Sequence, residues 1–260
     1  MGRTPAPHPI PVLAAGARWR SVDLLSDLHL HPGDPATFEA WRRHMDSTRA
    51  DAVFILGDLF DAWVGDDAID APGFDADCAR VLRTASARRP LYFLHGNRDF
   101  LVGAALARTC GFTLMADPTV LAFGARRWLL THGDALCLSD TAYLAFREQV
   151  RAPAWIAAFL HKPLAERKAL ARQMRQASED HHRAADYEAD VDTAMARLWL
   201  EAAGAAVMVH GHTHRPAEHD LGDGRLRIVL SDWDARVAPP RQQVLRLDAA
   251  GAFERIDLAA

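Results

Sequence analysis

Short apolar runs recur along the chain, and each one leads into a cluster of polar side chains. They span Val22 to Leu25, Val53 to Leu56, Leu91 to Leu94, Trp128 to Leu130 and Val207 to Val209. Apolar runs of this length are typical of strands that are covered on both faces. Because side chains that follow parallel strands collect at the carboxyl edge of a sheet, the five polar clusters are expected to meet.

Between these strands the apolar residues change to helical spacing. Phe38, Trp41 and Met45 lie three and four residues apart, which predicts an amphipathic helix within residues 35–49. A second helix is predicted over residues 74–87, and two later strands over residues 226–230 and 243–247. The alternation of strands and helices predicts an α/β fold.

The strand pattern is interrupted between residues 141 and 203, where helical periodicity predicts an insertion. Its apolar face includes Trp155, Ile156, Phe159 and Leu160. Its other face is basic, with seven Lys and Arg against two acids from Leu144 to Ala177. Such an insertion suits a polyphosphate substrate with an apolar tail, or an anionic bilayer. It equally suits a helical hairpin that packs on the sheet and keeps a solvated charged face.

Composition narrows the class of protein. The chain has 260 residues, of which 50% are hydrophobic and 25% charged, so it can bury a large core. A net charge of -4 argues against a general nucleic-acid binder. Cys78, Cys110 and Cys137 are widely spaced and odd in number, which predicts free thiols in a reducing compartment, the cytoplasm.

The beginning of the chain is rich in proline. Pro5, Pro7, Pro9 and Pro11 would interrupt the apolar core of a secretory signal. We therefore expect residues 1–19 to be a flexible extension of a single domain over residues 20–260. No apolar stretch is long enough to predict a membrane span.

The polar clusters contain the side-chain types that bind divalent metals. Seven residues are candidate ligands, namely Asp27, His29, Asp58, Asn97, His132, His212 and His214. Seven ligands are too many for one tetrahedral zinc and suit two cations that share a carboxylate. Asp58 is the expected bridge because it is charged and central in the order. Two metals activate water and hold a phosphate, so we predict hydrolysis of a phosphate ester or anhydride.

Other charged residues lie beside these candidates. Three further acids follow Asp58 in its loop, namely Asp61, Asp66 and Asp67. They would repel one another unless cations were near, or they form a solvated acidic loop. Arg98 has the planar fork that suits a phosphate oxygen, and Asp99 is placed to orient Arg98 or a ligand.

The motifs as a set resemble a known family. In order they are Asp27-Leu28-His29, Gly57-Asp58, Gly96-Asn97, His132-Gly133 and Gly211-His212-Thr213-His214. This order resembles the complete signature of the calcineurin-like metallophosphoesterases. The longer motifs around these residues, including Ser26-Asp27-Leu28-His29-Leu30, are similar to those of the UDP-2,3-diacylglucosamine diphosphatases of that family. The resemblance covers about residues 20–247.

The resemblance implies an αββα sandwich of two mixed sheets flanked by helices, with residues 141–203 as a helical cap. It implies two divalent ions, Mn²⁺, and water attack on the α-phosphorus of UDP-2,3-diacylglucosamine. The products would be UMP and 2,3-diacylglucosamine 1-phosphate, in lipid A biosynthesis. The implied enzyme is a monomer on the cytoplasmic face of the inner membrane and has no nucleic-acid partner.

Residue roles follow by motif match. One metal would be held by Asp27, His29, Asp58 and His214, and the other by Asp58, Asn97, His132 and His212. The implied catalytic residues are Asp58, Asn97, Arg98, His132 and His212. The implied substrate contacts are Asn97, Arg98, Asp140, Ser178, His182, Arg183 and His212. The family often has asparagine and lysine shortly after the serine, and His182 and Arg183 are the expected substitutes here.

Two other functions are compatible with parts of this pattern. A metallophosphoesterase for a soluble nucleotide or phosphodiester would share all seven ligands without needing the aromatic insertion. A metal-free scaffold on the same fold would be marked by lost ligands, and none is lost in this chain.

Overall fold

The computed structural model describes residues 9–185 and 190–259, and for residues 177–185 it describes the backbone alone. Over these residues there are twelve strands: β1 (Val12–Ala14), β2 (Ser21–Leu25), β3 (Ala52–Leu56), β4 (Leu91–Leu94), β5 (Thr113–Met115), β6 (Thr119–Phe123), β7 (Arg126–Leu130), β8 (Val207–His210), β9 (Ala217–Gly222), β10 (Arg225–Val229), β11 (Gln243–Asp248) and β12 (Phe253–Asp257). They form a first sheet, β12-β11-β2-β3-β4-β5, and a second sheet, β1-β6-β7-β8-β10-β9.

Parallel neighbours in each sheet bring the ligand loops together. In the first sheet β2, β3 and β4 are adjacent and parallel, with Leu25 opposite Ile55 and Ile55 opposite Phe93. In the second sheet β7 and β8 are parallel, with Leu130 opposite Val209. Adjacent parallel strands end at one edge, so the loops that follow them are neighbours. Antiparallel β11 and β6 make both sheets mixed.

The inner faces of the two sheets pack against each other. Leu24, Phe54 and Leu94 of the first sheet share a buried cluster with Trp128 and Val209 of the second. Alternate residues of the first-sheet strands point outward and are covered by helices. Burial on both faces explains the nearly continuous apolar runs. The predicted α/β sandwich of two mixed sheets flanked by helices is confirmed.

Helices cover both outer faces. The first sheet carries α1 (Pro35–Ser47), α2 (Phe74–Ser86) and α3 (Ala104–Cys110). Trp41, Leu82 and Leu106 of these helices are buried in one cluster with Val53 and Phe93. Three further helices are α4 (Thr141–Arg151), α5 (Pro153–Leu160) and α6 (Leu164–Ala185), and they are followed by α7 (Thr193–Ala203).

The region predicted as an insertion is divided by the structure. Helix α7 packs on the second sheet, where Trp199 and Leu200 share a cluster with Leu129 and Met208. It is therefore part of the sandwich, and we call α4, α5 and α6 the cap. The predicted apolar patch is divided as well. Phe159 is only 5% exposed and belongs to the core, whereas Leu160 is 40% exposed.

Part of the proline-rich start forms a strand. Residues 1–8 lie outside the described residues, but Val12–Ala14, which we expected within a flexible extension, form strand β1 instead. Val12 pairs with Val120, and Leu13 with Leu121, in parallel register. Backbone pairing with β6 holds this segment at the edge of the second sheet.

The described part of the chain contains neither a disulfide nor a helix that could span a membrane. Cys78, Cys110 and Cys137 are buried free thiols, as predicted. None of the described helices combines the length and apolar character that crossing a membrane requires.

Candidate metal centre

All seven candidate ligands lie in loops that directly follow β2, β3, β4, β7 and β8. Five of the seven have positive φ angles: Asp27 (57°), His29 (48°), Asp58 (53°), His212 (67°) and His214 (52°). This backbone region is uncommon for residues other than glycine. Strain of this kind persists only where the surrounding structure enforces it, and it clusters at functional sites.

Glycines allow the loops to touch. A Cβ at Gly96 would collide with the Asp58 carboxylate, and one at Gly211 would collide with Ser26 and Asp27. The loop after β4 therefore lies directly on the loop after β3, and the loop after β8 on the loop after β2. This close approach requires glycine at both positions.

One group of ligand atoms is formed by Asp27, His29 and His214. The Nε2 atoms of His29 and His214 are 3.1 Å apart, and His214 Nε2 lies 3.3 Å from Asp27 Oδ1. Asp27 Oδ2 accepts hydrogen bonds from the Ser26 hydroxyl and, at 2.9 Å, from the His212 amide. Asp27 Oδ1 is buried and has no hydrogen-bond partner among the described residues. A buried carboxylate oxygen left unpaired between two imidazoles suits a cation.

A second group is formed around Asn97. Its Oδ1 lies 2.9 Å from His132 Nε2 and 2.9 Å from His212 Nδ1. Asp58 lies between the two groups, with Oδ1 3.8 Å from His132 Nε2 and Oδ2 3.9 Å from His29 Nδ1. This position is the one expected of a bridging carboxylate. Asp27 also lies close to both groups, since it clusters with Asp58 and His132 as well.

The electrostatics of the protein groups alone are unfavourable. Burial raises the pKa of Asp58 to about 7, and nearby Asp99 and Asp27 add to the effect. Burial lowers the pKa of His132, but Asp58 and other carboxylates outweigh it and raise the pKa to about 9. Burial lowers the pKa of His212 to about 3. Divalent cations would stabilise the ionised carboxylates together with neutral imidazoles. The residues present therefore fit a pair of divalent metals.

Asp99 ties two ligand loops together. Its buried carboxylate accepts from the amides of Leu59 and Gly96, both at 2.8 Å. Asp58 and Asn97, the neighbours of these two amides, are thereby fixed relative to each other. This is the orienting role toward a ligand that we expected of Asp99. The Arg98 amide adds a 2.8 Å hydrogen bond to Asp58 Oδ1.

Comparison with known families agrees with this geometry. The profile of the calcineurin-like phosphoesterases matches residues 21–216, a span that contains every one of the ligand loops.

The chain belongs to the calcineurin-like phosphoesterase family.

Curated relatives indicate a particular group of enzymes within the family. The chain is 46% identical to UDP-2,3-diacylglucosamine hydrolase of Bordetella pertussis, over 88% of this chain and 92% of the relative. It is 42% identical to the protein of the same name from Xanthomonas campestris pv. campestris, over 90% and 98%. The corresponding hydrolase of Chromohalobacter salexigens is 41% identical, over 84% and 94%. The resemblance stated from the motifs is confirmed.

The predicted substrate contacts are only partly placed in this phosphoesterase. Asp140 lies at the start of α4, where its Oδ1 accepts from the Tyr143 amide at 2.9 Å and caps the helix. Ser178, His182 and Arg183 lie in the segment whose side chains are outside the described structure. Their roles remain predictions.

A buried carboxylate that the sequence did not assign joins the cap to the metal centre. Asp134 follows His132 by two residues and is 0% exposed. It accepts from the Tyr143 hydroxyl at 2.5 Å and from Arg147 Nε at 2.7 Å. The Tyr143 ring lies 5.9 Å from the His212 ring. The only signal in the sequence was the position of Asp134 directly after a ligand motif.

A second contact region between the cap and the sandwich, which we call the α6 seam, joins α6 to the acidic loop after Asp58. Arg167 is 3% exposed, binds the Asp67 carboxylate with two nitrogens and donates to the Val64 carbonyl. Arg175 pairs with Asp61, and Lys168 lies 2.8 Å from Asp75. The cations expected near this loop are therefore side chains of the cap. Much of the basic face predicted from the sequence is neutralised by the sandwich.

Proposed function

We propose that this phosphoesterase hydrolyses the diphosphate of UDP-2,3-diacylglucosamine to UMP and 2,3-diacylglucosamine 1-phosphate, a step of lipid A biosynthesis. The observation that carries the proposal is the likeness to curated hydrolases of this name at 41–46% identity. The match covers 88% of the chain. The residues outside it are fewer than those of the cap, so the similarity must extend into the cap. The complete ligand set supports catalysis rather than a scaffold role.

The donor set suits two manganese ions. Asp27, His29, Asp58 and His214 would hold one, and Asp58, Asn97, His132 and His212 the other. Carboxylate, amide and imidazole donors together suit borderline and hard divalent metals, of which Mn²⁺ is one. When bound, the ions polarise phosphate oxygens and lower the pKa of water, which supplies the attacking group.

The side chains of this chain orient the diphosphate. The guanidinium of Arg98 would hold a phosphate oxygen with two nitrogens, and its amide already fixes the Asp58 carboxylate. Attack at the α-phosphorus expels a phosphate monoester whose second pKa is about 6. Such a leaving group departs without a proton donor at neutral pH. The chain therefore needs no acidic residue beside the leaving oxygen.

The cap suits the acyl chains. In the described part of the cap, three large apolar side chains are exposed, namely Phe146 (41%), Leu160 (40%) and Met174 (36%). Their exposure supports contact with acyl chains and with the cytoplasmic face of the inner membrane, where the substrate would be bound. All seven predicted ligands come from one chain, so a monomer suffices.

The decisive experiment measures UMP release from detergent-dispersed UDP-2,3-diacylglucosamine by Mn²⁺-loaded protein. UDP-N-acetylglucosamine is the matched soluble substrate. We expect a rate at least about 100-fold higher on the diacylated substrate, equivalent to about 2.7 kcal/mol. Equal rates would favour a phosphoesterase for soluble nucleotides. In ¹⁸O-labelled water the label should appear in UMP, whereas label in the sugar phosphate would refute attack at the α-phosphorus.

A further inference from the structure

Helix α4 carries two arginines one turn apart, and both contact the same buried carboxylate. Arg147 donates to Asp134 from Nε at 2.7 Å and from Nη2 at 3.5 Å. Arg151 reaches Asp134 only with Nη2, at 3.5 Å. The two side chains are similarly accessible, at 23% and 21% exposed. They differ in how their donors are used.

Arg151 keeps one edge of its guanidinium available. Its Nη2 donates to the Gly96 carbonyl at 2.9 Å in addition to the Asp134 contact. Within the described part of the chain, its Nε and Nη1 have no hydrogen-bond acceptor. A guanidinium has five donors in a rigid plane, so a pair of them is free for a bidentate partner.

The position of Arg151 is set from three directions. The Gly96 carbonyl places Nη2 directly before Asn97 and Arg98 in the loop after β4. The Phe100 ring lies 5.6 Å from the guanidinium carbon and supports the plane. Asp134 is the third contact of the same side chain, at 3.5 Å from Nη2. One carboxylate is shared by two guanidinium groups, so Asp134 alone does not neutralise both.

We propose that Arg151 binds the diphosphate of the substrate from the cap side, next to ligand Asn97. The inference rests on the proposed function, because that substrate is a diphosphate diester. Arg98 and Arg151 then contact the phosphates from the loop and from the cap. Arg147 anchors α4 because it uses its donors on Asp134, and Arg151 is the residue that contacts the substrate. Seating of the cap and binding of the diphosphate become mutually dependent.

The test compares Arg151→Gln with Arg147→Gln in the full Mn²⁺-loaded chain. The measurements are KM and kcat for detergent-dispersed UDP-2,3-diacylglucosamine, the Kd of 2,3-diacylglucosamine 1-phosphate, metal content and Tm. For Arg151→Gln we expect KM and Kd to rise about 10-fold or more, the loss of a charged hydrogen bond. Metal content should be unchanged. For Arg147→Gln we expect a larger fall in Tm and a KM within about threefold of the parent.

Two results would overturn the assignment. Unchanged KM and Kd in Arg151→Gln would show that the free edge meets no phosphate. An equal loss in Arg147→Gln would show that both arginines only anchor α4.

Failure of the proposed function is recognised separately, because the parent protein would then release no UMP from UDP-2,3-diacylglucosamine, or release it no faster than from UDP-N-acetylglucosamine. In that case UDP-N-acetylglucosamine is tested as an inhibitor of bis(4-nitrophenyl) phosphate hydrolysis. Inhibition of the parent that weakens about 10-fold in Arg151→Gln supports a diphosphate contact. Equal inhibition of both proteins, or none of the parent, refutes it.

Discussion

The ligand loops and the cap differ in how their buried charged groups are paired. In the loops, Asp27 Oδ1 is buried without a hydrogen-bond partner in the described part of the chain, and the pKa of Asp58 is raised to about 7 by burial. At the seams of the cap, the buried carboxylate of Asp134 and the buried guanidinium of Arg167 each have several partners. The ligand loops thus need bound cations to balance their buried charges. The buried charged groups that attach the cap are instead paired with other residues of the chain.

The comparison separates chemistry from selectivity. Changes in the ligand loops should affect every substrate, because all hydrolysis would depend on the same proposed metal pair. Changes at the cap should affect its attachment or the choice of substrate. Asp134 belongs to both regions, since it follows His132 and holds α4.

The largest effect is expected from Asp58→Ala, which removes the carboxylate between the two ligand groups. Hydrolysis of UDP-2,3-diacylglucosamine and of a soluble phosphodiester should both fall by about 1,000-fold or more, as for loss of metal-based catalysis. Metal content measured by elemental analysis should fall as well. The matched control is Asp70→Ala, an exposed acid near the same loop, which should behave like the parent. Full metal content with normal turnover would place the bridge elsewhere.

Arg167→Met tests the α6 seam. The variant leaves the Val64 and Lys162 carbonyls and the Asp67 carboxylate without their guanidinium donor. We expect the free energy of unfolding in urea to fall by about 2–3 kcal/mol, typical of lost hydrogen bonds at a buried group. Lys168→Met is the control, because its pair with Asp75 is more accessible and should contribute about 0–1 kcal/mol. Equal losses would mean that burial of Arg167 has no special role.

Arg98→Lys keeps the charge but removes the planar fork. We expect kcat/KM to fall about 10-fold, equivalent to a charged hydrogen bond of about 1.5 kcal/mol. The loss should be similar for the diacylated and soluble substrates, because the residue lies in a ligand loop. A loss confined to the diacylated substrate would contradict the division between loops and cap.

The smallest effect is expected from Phe146→Ser combined with Leu160→Ser on the exposed face of the cap. Each lost methylene contact with an acyl chain forfeits up to about 0.8 kcal/mol, so KM for the long-chain substrate should rise several-fold. Hydrolysis of a soluble phosphodiester should be unchanged. Leu198→Ser is the control, since Leu198 is 45% exposed on α7, outside the cap. Equal changes in the control would show a general surface effect.

Several elements were predictable and others were not. The strands that lead to ligands and helices α1 and α2 were predicted within one or two residues, because continuous apolar runs mark these strands and helical apolar spacing marks these helices. Strands β1, β5, β6, β9 and β12 and helix α3 were missed. The three-residue strands β1 and β5 and the seven-residue helix α3 carry too little pattern, and pairing with β6, β4 and α2 stabilises them. Strands β6, β9 and β12 pair antiparallel with β7, β10 and β11.

The cap shows where pattern reading was misleading. Trp155, Ile156, Phe159 and Leu160 were interpreted as one apolar face, yet only Leu160 is well exposed. Trp155 stacks on Phe159 at 4.8 Å, and both pack on the main core. Helical spacing shows which residues share a face, but not whether that face meets protein or ligand.

The sequence by itself determined the ligand types, their order and their attachment to strand ends, because each motif is local and combines a glycine with polar residues after an apolar run. Only the tertiary structure decided which atoms meet. His29 and His214 are 185 positions apart along the chain and 3.1 Å apart in space. The roles of Asp134 and Arg151 also depended on it, because a charged side chain acquires its role from partners that packing brings to it.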